Sequence, residues 1–144
     1  MKGDEGKWAE KQAQTWLENA SNQAHDFAWH RYPDSRAARG ALAAQPADFL
    51  VACGKAFHLE VKETAQIKRL PKKKIGQFGM LQKFHWAGIE PYVVIYRSEA
   101  KDWVYLGPAQ LFEFEECPPS FDLSKRQTYA TCGAIMEWLF NETH

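Results

Sequence analysis

Residues 56–64, Ala-Phe-His-Leu-Glu-Val-Lys-Glu-Thr, alternate between apolar and polar in the period of an extended strand. Successive strand side chains point to opposite faces, so Phe57, Leu59 and Val61 form one apolar face while His58, Glu60 and Lys62 share the other. The stretch before it reads as a second strand, giving strands over about 47–52 and 56–63 joined by Cys53-Gly54-Lys55. With that three-residue loop Ala52 pairs with Ala56, Leu50 with His58, and Asp48 with Glu60, the last two with β-carbons about 5 Å apart. A loop one residue longer or shorter would send Asp48 to the wrong face.

Like charges directly opposite one another destabilise a sheet, and a divalent cation between them explains the pair. Mg²⁺ takes oxygen ligands in octahedral geometry and is commonly held by one or two carboxylates, waters and substrate phosphate. Asp48, Glu60 and the backbone carbonyl of Val61 would supply that cradle, with Mn²⁺ as a substitute. Lys62, on the same face, would lie beside the metal-bound water, orienting it and stabilising negative charge on a phosphate. The chemistry this set serves is phosphodiester hydrolysis. A bare Glu-x-Lys triplet is more often the solvated side of a surface hairpin. Asp48 shortly after Pro46, the parity of the hairpin and a preceding helix with Glu10 on its rim tip the balance.

That helix runs from Gly6 to Ala20, where Trp8, Ala9, Ala13, Trp16, Leu17 and Ala20 recur at helical spacing. Residues 26–32 are aromatic and strand-like. Residues 33–46, bounded by prolines and carrying Arg36 and Arg39, read as a long arm. Residues 68–74 place Lys68, Arg69, Lys72, Lys73 and Lys74 around Pro71, too polar for core and read as a loop. A helix follows near 77–87, with Met80, Leu81, Phe84 and Ala87 inward and Gly88 as its stop. Residues 91–97 are apolar on both faces, as in a central strand, and pair as a hairpin with 102–107. Pro108 opens a short helix over 108–115 with Leu111, Phe112 and Phe114 inward. A C-terminal helical segment occupies 116–144, with Ser124 and Gln127 as a capping box before an apolar stripe of Ile135, Met136, Leu139 and Phe140. The whole reads as one α/β domain of 144 residues, a mixed β-sheet flanked by helices.

Composition excludes several classes. A hydrophobic content of 45% argues against disorder, and no apolar run approaches a membrane span. Lys2-Gly3-Asp4-Glu5 after Met1 is no export signal, so a soluble chain of the cytoplasm is expected. Three separated cysteines, without a Cys-x-x-Cys pair, fit reduced thiols. Net charge is zero but uneven: residues 1–97 hold 15 Lys/Arg against 10 Asp/Glu, a balance of +5, and residues 98–144 hold 3 against 8, a balance of −5. The basic part is the part that carries the carboxylate pair.

The stretch Pro46-Ala47-Asp48 followed by Glu60-Val61-Lys62 resembles the signature of the PD-(D/E)xK nuclease superfamily. More narrowly, Gly6-Lys7-Trp8-Ala9-Glu10, Asp48 and Glu60-Val61-Lys62-Glu63-Thr64 are similar to RecU-type Holliday junction resolvases. Gln77, the strand Tyr92-Val93-Val94-Ile95-Tyr96 and the segment Trp103 to Phe112 match that layout as well, so the likeness covers residues 6 to about 115. The arm is shorter than the stalk of typical RecU proteins. The resemblance implies a restriction-endonuclease-like core, Mg²⁺-dependent cleavage of branched DNA, and a host that is a bacterial or phage-infected cell. Glu10 is then a third acidic group on the metal, direct or through water, or else a solvated helix residue. Gln77 orients phosphate or water, or caps its helix. Cutting a four-way junction symmetrically calls for two sites, hence a homodimer. Arg36, Arg39 and the cations of 68–74 are candidate contacts to the DNA backbone. Trp103, on an edge hairpin, belongs to the core or packs a partner subunit. Rival readings are a restriction, repair or phage endonuclease of the same superfamily and a non-catalytic DNA-binding protein on the same fold. An intact Asp48, Glu60 and Lys62 set argues against the latter.

Overall fold

The computed structural model describes residues 6–33 and 45–142. Helix α1 (Lys7–Gln23) opens after Gly6, whose φ of 84° is left-handed and open to glycine at little cost. The Gly6 carbonyl accepts the first helical hydrogen bond, from the Glu10 amide, at 2.9 Å. Gly6 thus fixes where the helix starts and sets Glu10 one turn in. Ala9, Ala13 and Leu17 are the fully buried members of the stripe. Trp8 remains half exposed, resting on the rings of Tyr96 and Trp103.

Strands β1 (Ala28–Arg31), β2 (Phe49–Ala52) and β3 (Ala56–Thr64) form an antiparallel meander. Ala52 opposes Ala56 and Leu50 opposes His58, the register that a three-residue loop demands. Chain then crosses through helix α2 (Phe78–Trp86) to β5 (Glu90–Arg97), which lies parallel to β3, and β6 (Asp102–Leu106) returns antiparallel. The sheet order is β1-β2-β3-β5-β6, so β3 and β5 sit centrally. That position explains why Val93, Val94 and Ile95 are all buried on a strand apolar on both faces.

Each face of the sheet carries its own core. Phe57, Leu59, Val61 and Val94 pack with α1 and with helix α4 (Cys132–Glu137), whose Ile135 and Met136 are fully buried. Val93, Ile95, Val104 and Leu106 pack on the other face with Leu81 of α2 and Leu111 of α3 (Pro108–Leu111). None of the described helices is long and apolar enough to cross a membrane.

Several expectations need correction. The basic stretch is no simple loop: β4 (Arg69–Pro71) pairs with β7 (Ser120–Asp122) in a small second sheet, and Lys72–Lys74 make a 3-10 turn. Leu70, opposite Phe121, is fully buried between its cationic neighbours. Helix α3 stops at Leu111, leaving Phe114 exposed among Glu113, Glu115 and Glu116. Phe84 turns its ring inward onto His58 yet stays partly exposed, Ala87 just past α2 is exposed, and the single fully buried residue of α2 is Leu81. Ser124 does not cap a helix. Its amide and hydroxyl instead donate to Asp122 at 2.8 and 2.6 Å, and Thr131 caps α4 through the Ala134 amide. After α4 the chain widens to a π-helical turn over Trp138–Glu142. Trp103 is buried rather than offered to a partner: Tyr129 exchanges both backbone hydrogen bonds with it at 2.8 Å, and Trp8 covers its ring. Most of the 33–46 arm, with Arg36 and Arg39, lies outside the described residues.

Candidate active site

One step past the Phe49–Leu59 pair, the β2–β3 register sets Asp48 opposite Glu60. Asp48 sits between two strands. Its carbonyl accepts the Tyr32 amide at 2.9 Å, extending the β1 ladder, and its carboxylate Oδ2 accepts the Val61 amide at 2.8 Å. That second bond locks the side chain toward β3, beside Glu60.

Glu60 is 6% exposed. Burial, and then the neighbouring Asp48 charge, raise its carboxyl well above the ordinary value, while Lys62 pulls the other way. Glu10 adds a smaller upward push on Glu60. A carboxyl perturbed by burial and a like charge, lining a cavity, marks a candidate functional group.

A cavity of about 360 Å³ opens over this pair. Glu10, Asp48, Glu60, Lys62 and Gln77 all line it, with Lys73 and Lys74 from the basic turn. Lys68, Arg69 and Lys72 lie outside the lining. Gln77 occupies the position before α2 and makes no capping bond with its side chain, which leaves that side chain to the cavity.

Glu10 comes from α1, on the far face of the sheet, and is ion-paired with Arg31 at the end of edge strand β1. Among the described residues no group of three or more His, Cys, Asp and Glu side chains is close enough to hold a metal. The donor set that Asp48 and Glu60 offer is therefore two carboxylates, and this fits Mg²⁺, which takes one or two carboxylates and fills its remaining positions with water and phosphate.

His58 shares the face of Glu60 but is wholly buried, its Nε2 3.0 Å from the Tyr32 hydroxyl and its ring edge-on to Phe84. Burial lowers its pKa to about 4, so it is a neutral core group. Thr64 is turned inward, its hydroxyl accepting the Gln66 amide at 3.1 Å. Sequence reasoning passed over Arg31, Tyr32 and Gln45, which also line the cavity. An Arg ending a strand carries no local signal that a helix 21 positions earlier will supply its partner.

No protein-family model matches the sequence, and no curated protein matches it significantly. Among solved structures the chain is similar to Hjc, a Holliday junction resolvase from the archaeal hyperthermophile Archaeoglobus fulgidus. The likeness has a TM-score of 0.53 at 19% identity and covers 83% of this chain and 88% of that one. The chain thus shares that protein's mixed α/β fold, a five-stranded sheet flanked by helices.

Proposed function

We propose that this protein is a metal-dependent endonuclease of the PD-(D/E)xK type that cuts four-way DNA junctions by phosphodiester hydrolysis. The observation that carries the reading is the opposition of Asp48 and Glu60 in a cavity that Lys62, Lys73 and Lys74 also line. Acids and cations lining one cavity suit a phosphate held over a divalent ion. Bound Mg²⁺ supplies a Lewis acid and a water of lowered pKa.

The protein's own groups do the rest. Asp48, fixed by the Val61 amide, and Glu60, fixed by burial, hold the ion in one place. Lys62 orients the attacking water and offsets charge growing on the phosphate. Lys73 and Lys74 hold the strand by its backbone, and Gln77 orients a phosphate oxygen or the water. Branched rather than linear DNA is favoured by the resemblance in the motif residues and by the fold shared with a junction resolvase. Two equivalent sites in a homodimer would serve the two strands that must be cut.

Incubation with matched four-way junction, nicked duplex and linear duplex, with and without Mg²⁺, tests the proposal. Cleavage of the junction above the others, and only with the metal, is expected. Equal cleavage of all three would indicate a restriction, repair or phage type of endonuclease. Binding without cleavage in Mg²⁺ or Mn²⁺ would indicate a DNA-binding protein on a nuclease fold.

A further inference from the structure

A second cavity, of about 420 Å³, adjoins the first. It runs along the polar side of α1 and is lined by Lys7, Lys11, Gln14 and Glu18, residues spaced three and four apart so that they share one helix face. Glu10 and Arg31 line both cavities, so their ion pair is the wall between them. The Arg31 side chain is 43% exposed, within reach of anything lying over the site.

We propose that Arg31 binds a backbone phosphate of the strand being cut, Glu10 holding its guanidinium in place until a phosphate oxygen takes over, and that Lys11 continues the contact along α1. The inference rests on the nuclease reading above. Lys73, Lys74 and Arg31 line the cavity that holds Asp48 and Glu60, and Lys11 lines the adjoining one with Arg31, so Arg31 joins the site to a second run of backbone contacts. Guanidinium suits this exchange because its planar fork meets carboxylate and phosphate with the same pair of parallel bonds. Swapping one anion for another keeps the guanidinium compensated throughout, the displaced Glu10 carboxylate passing to water at its exposed edge. Glu18, which accepts from Gln14 at 3.3 Å, puts a negative charge at the far end of the groove and marks where the phosphate path stops.

The test is binding without metal. A labelled four-way junction and a linear duplex are titrated in EDTA by fluorescence anisotropy across a NaCl series. Arg31→Ala and Lys11→Ala should each flatten the slope of log K against log[salt] by about 0.9. Arg31→Lys should keep the wild-type slope. Glu10→Gln should tighten binding, by removing the competing carboxylate, and should change nothing in an Arg31→Ala background. Circular dichroism shows that each variant is folded. A wild-type slope in Arg31→Ala, or weaker binding in Glu10→Gln, overturns the inference while leaving the nuclease intact. Failure of the wild-type chain to bind either DNA overturns both.

Discussion

Burying a carboxylate beside a second one costs stability unless a cation neutralises the pair, and Glu60 meets both conditions at 6% exposure. Its carboxyl is raised above the ordinary 4.5 in the folded chain. A raised carboxyl contributes stability that is fully present below 4.5 and lost as pH climbs through the folded value. Thermal midpoints in EDTA, wild type compared with Glu60→Gln, should therefore diverge as pH rises from about 4 to 8, the wild type losing ground. Mg²⁺ should restore it, and more so at pH 8 than at pH 5, because protons compete for the same oxygens. A Mg²⁺ shift of equal size in Glu60→Gln would place the ion elsewhere. Function divides along the same lines. Asp48→Asn should abolish cleavage and leave junction affinity nearly intact, if Lys73 and Lys74 of the cavity lining hold the DNA backbone as proposed. Lys62→Ala should slow cleavage by about 10²-fold or more with affinity unchanged. If rate and affinity fell together by one small factor, Lys62 would be an anchor only.

Among the elements, the β2–β3 hairpin was legible because everything it needs is local: alternation, a loop of odd length and an apolar face. The same is true of the Glu10 helix, started by Gly6. The basic turn was not legible, because what orders it lies some fifty positions away. Arg69, Leu70 and Pro71 pair with Asp122, Phe121 and Ser120, the Lys72 amide donates to the Pro119 carbonyl at 2.9 Å, and the Leu123 amide donates to the Lys68 carbonyl at 2.7 Å. Five cations hid a single alternating leucine. Nor could helix spacing show that α3 would stop at Leu111, where the next turn would have had to bury acidic residues. The consequence is that the acidic end of the chain positions the basic turn of the site. Buried Arg97 helps from below, paired with Asp102 and donating to the Ile67 carbonyl at 2.6 Å, just before β4. Leu70→Ala should cost about 2–5 kcal/mol in urea unfolding and should also weaken junction binding, because Lys73 and Lys74 lose their fixed place. Lost stability with unchanged affinity would separate the second sheet from the site. Replacing Lys73 and Lys74 together should flatten the salt slope by up to about two contacts, and Lys72→Ala, outside the cavity, by less.

For the whole molecule, the proposed function raises the question of how one Asp48–Glu60 pair per chain would deal with a junction that has two strands to cut. The described surface holds a single Asp48–Glu60 pair, and the face that Trp103 would have lent to a partner is closed by Tyr129 and Trp8. A monomer would therefore nick a junction, release it and nick again. A dimer with two-fold symmetry would make both cuts in one encounter. The two schemes separate on a supercoiled plasmid with an extruded cruciform, where one nick relaxes the circle and destroys the junction before a second can follow. Paired cutting yields linear plasmid, and single cutting yields nicked circles. The homodimer reading expects linear product to dominate at early times, and light scattering to give a mass near twice 16.6 kDa at the protein concentration used. Mixing wild-type chains with an excess of Asp48→Asn chains, then allowing exchange, should convert the product to nicked circles, because most active sites would then face an inert partner. Nicked product from the wild type alone, unchanged by added Asp48→Asn protein, would make each chain an independent nuclease.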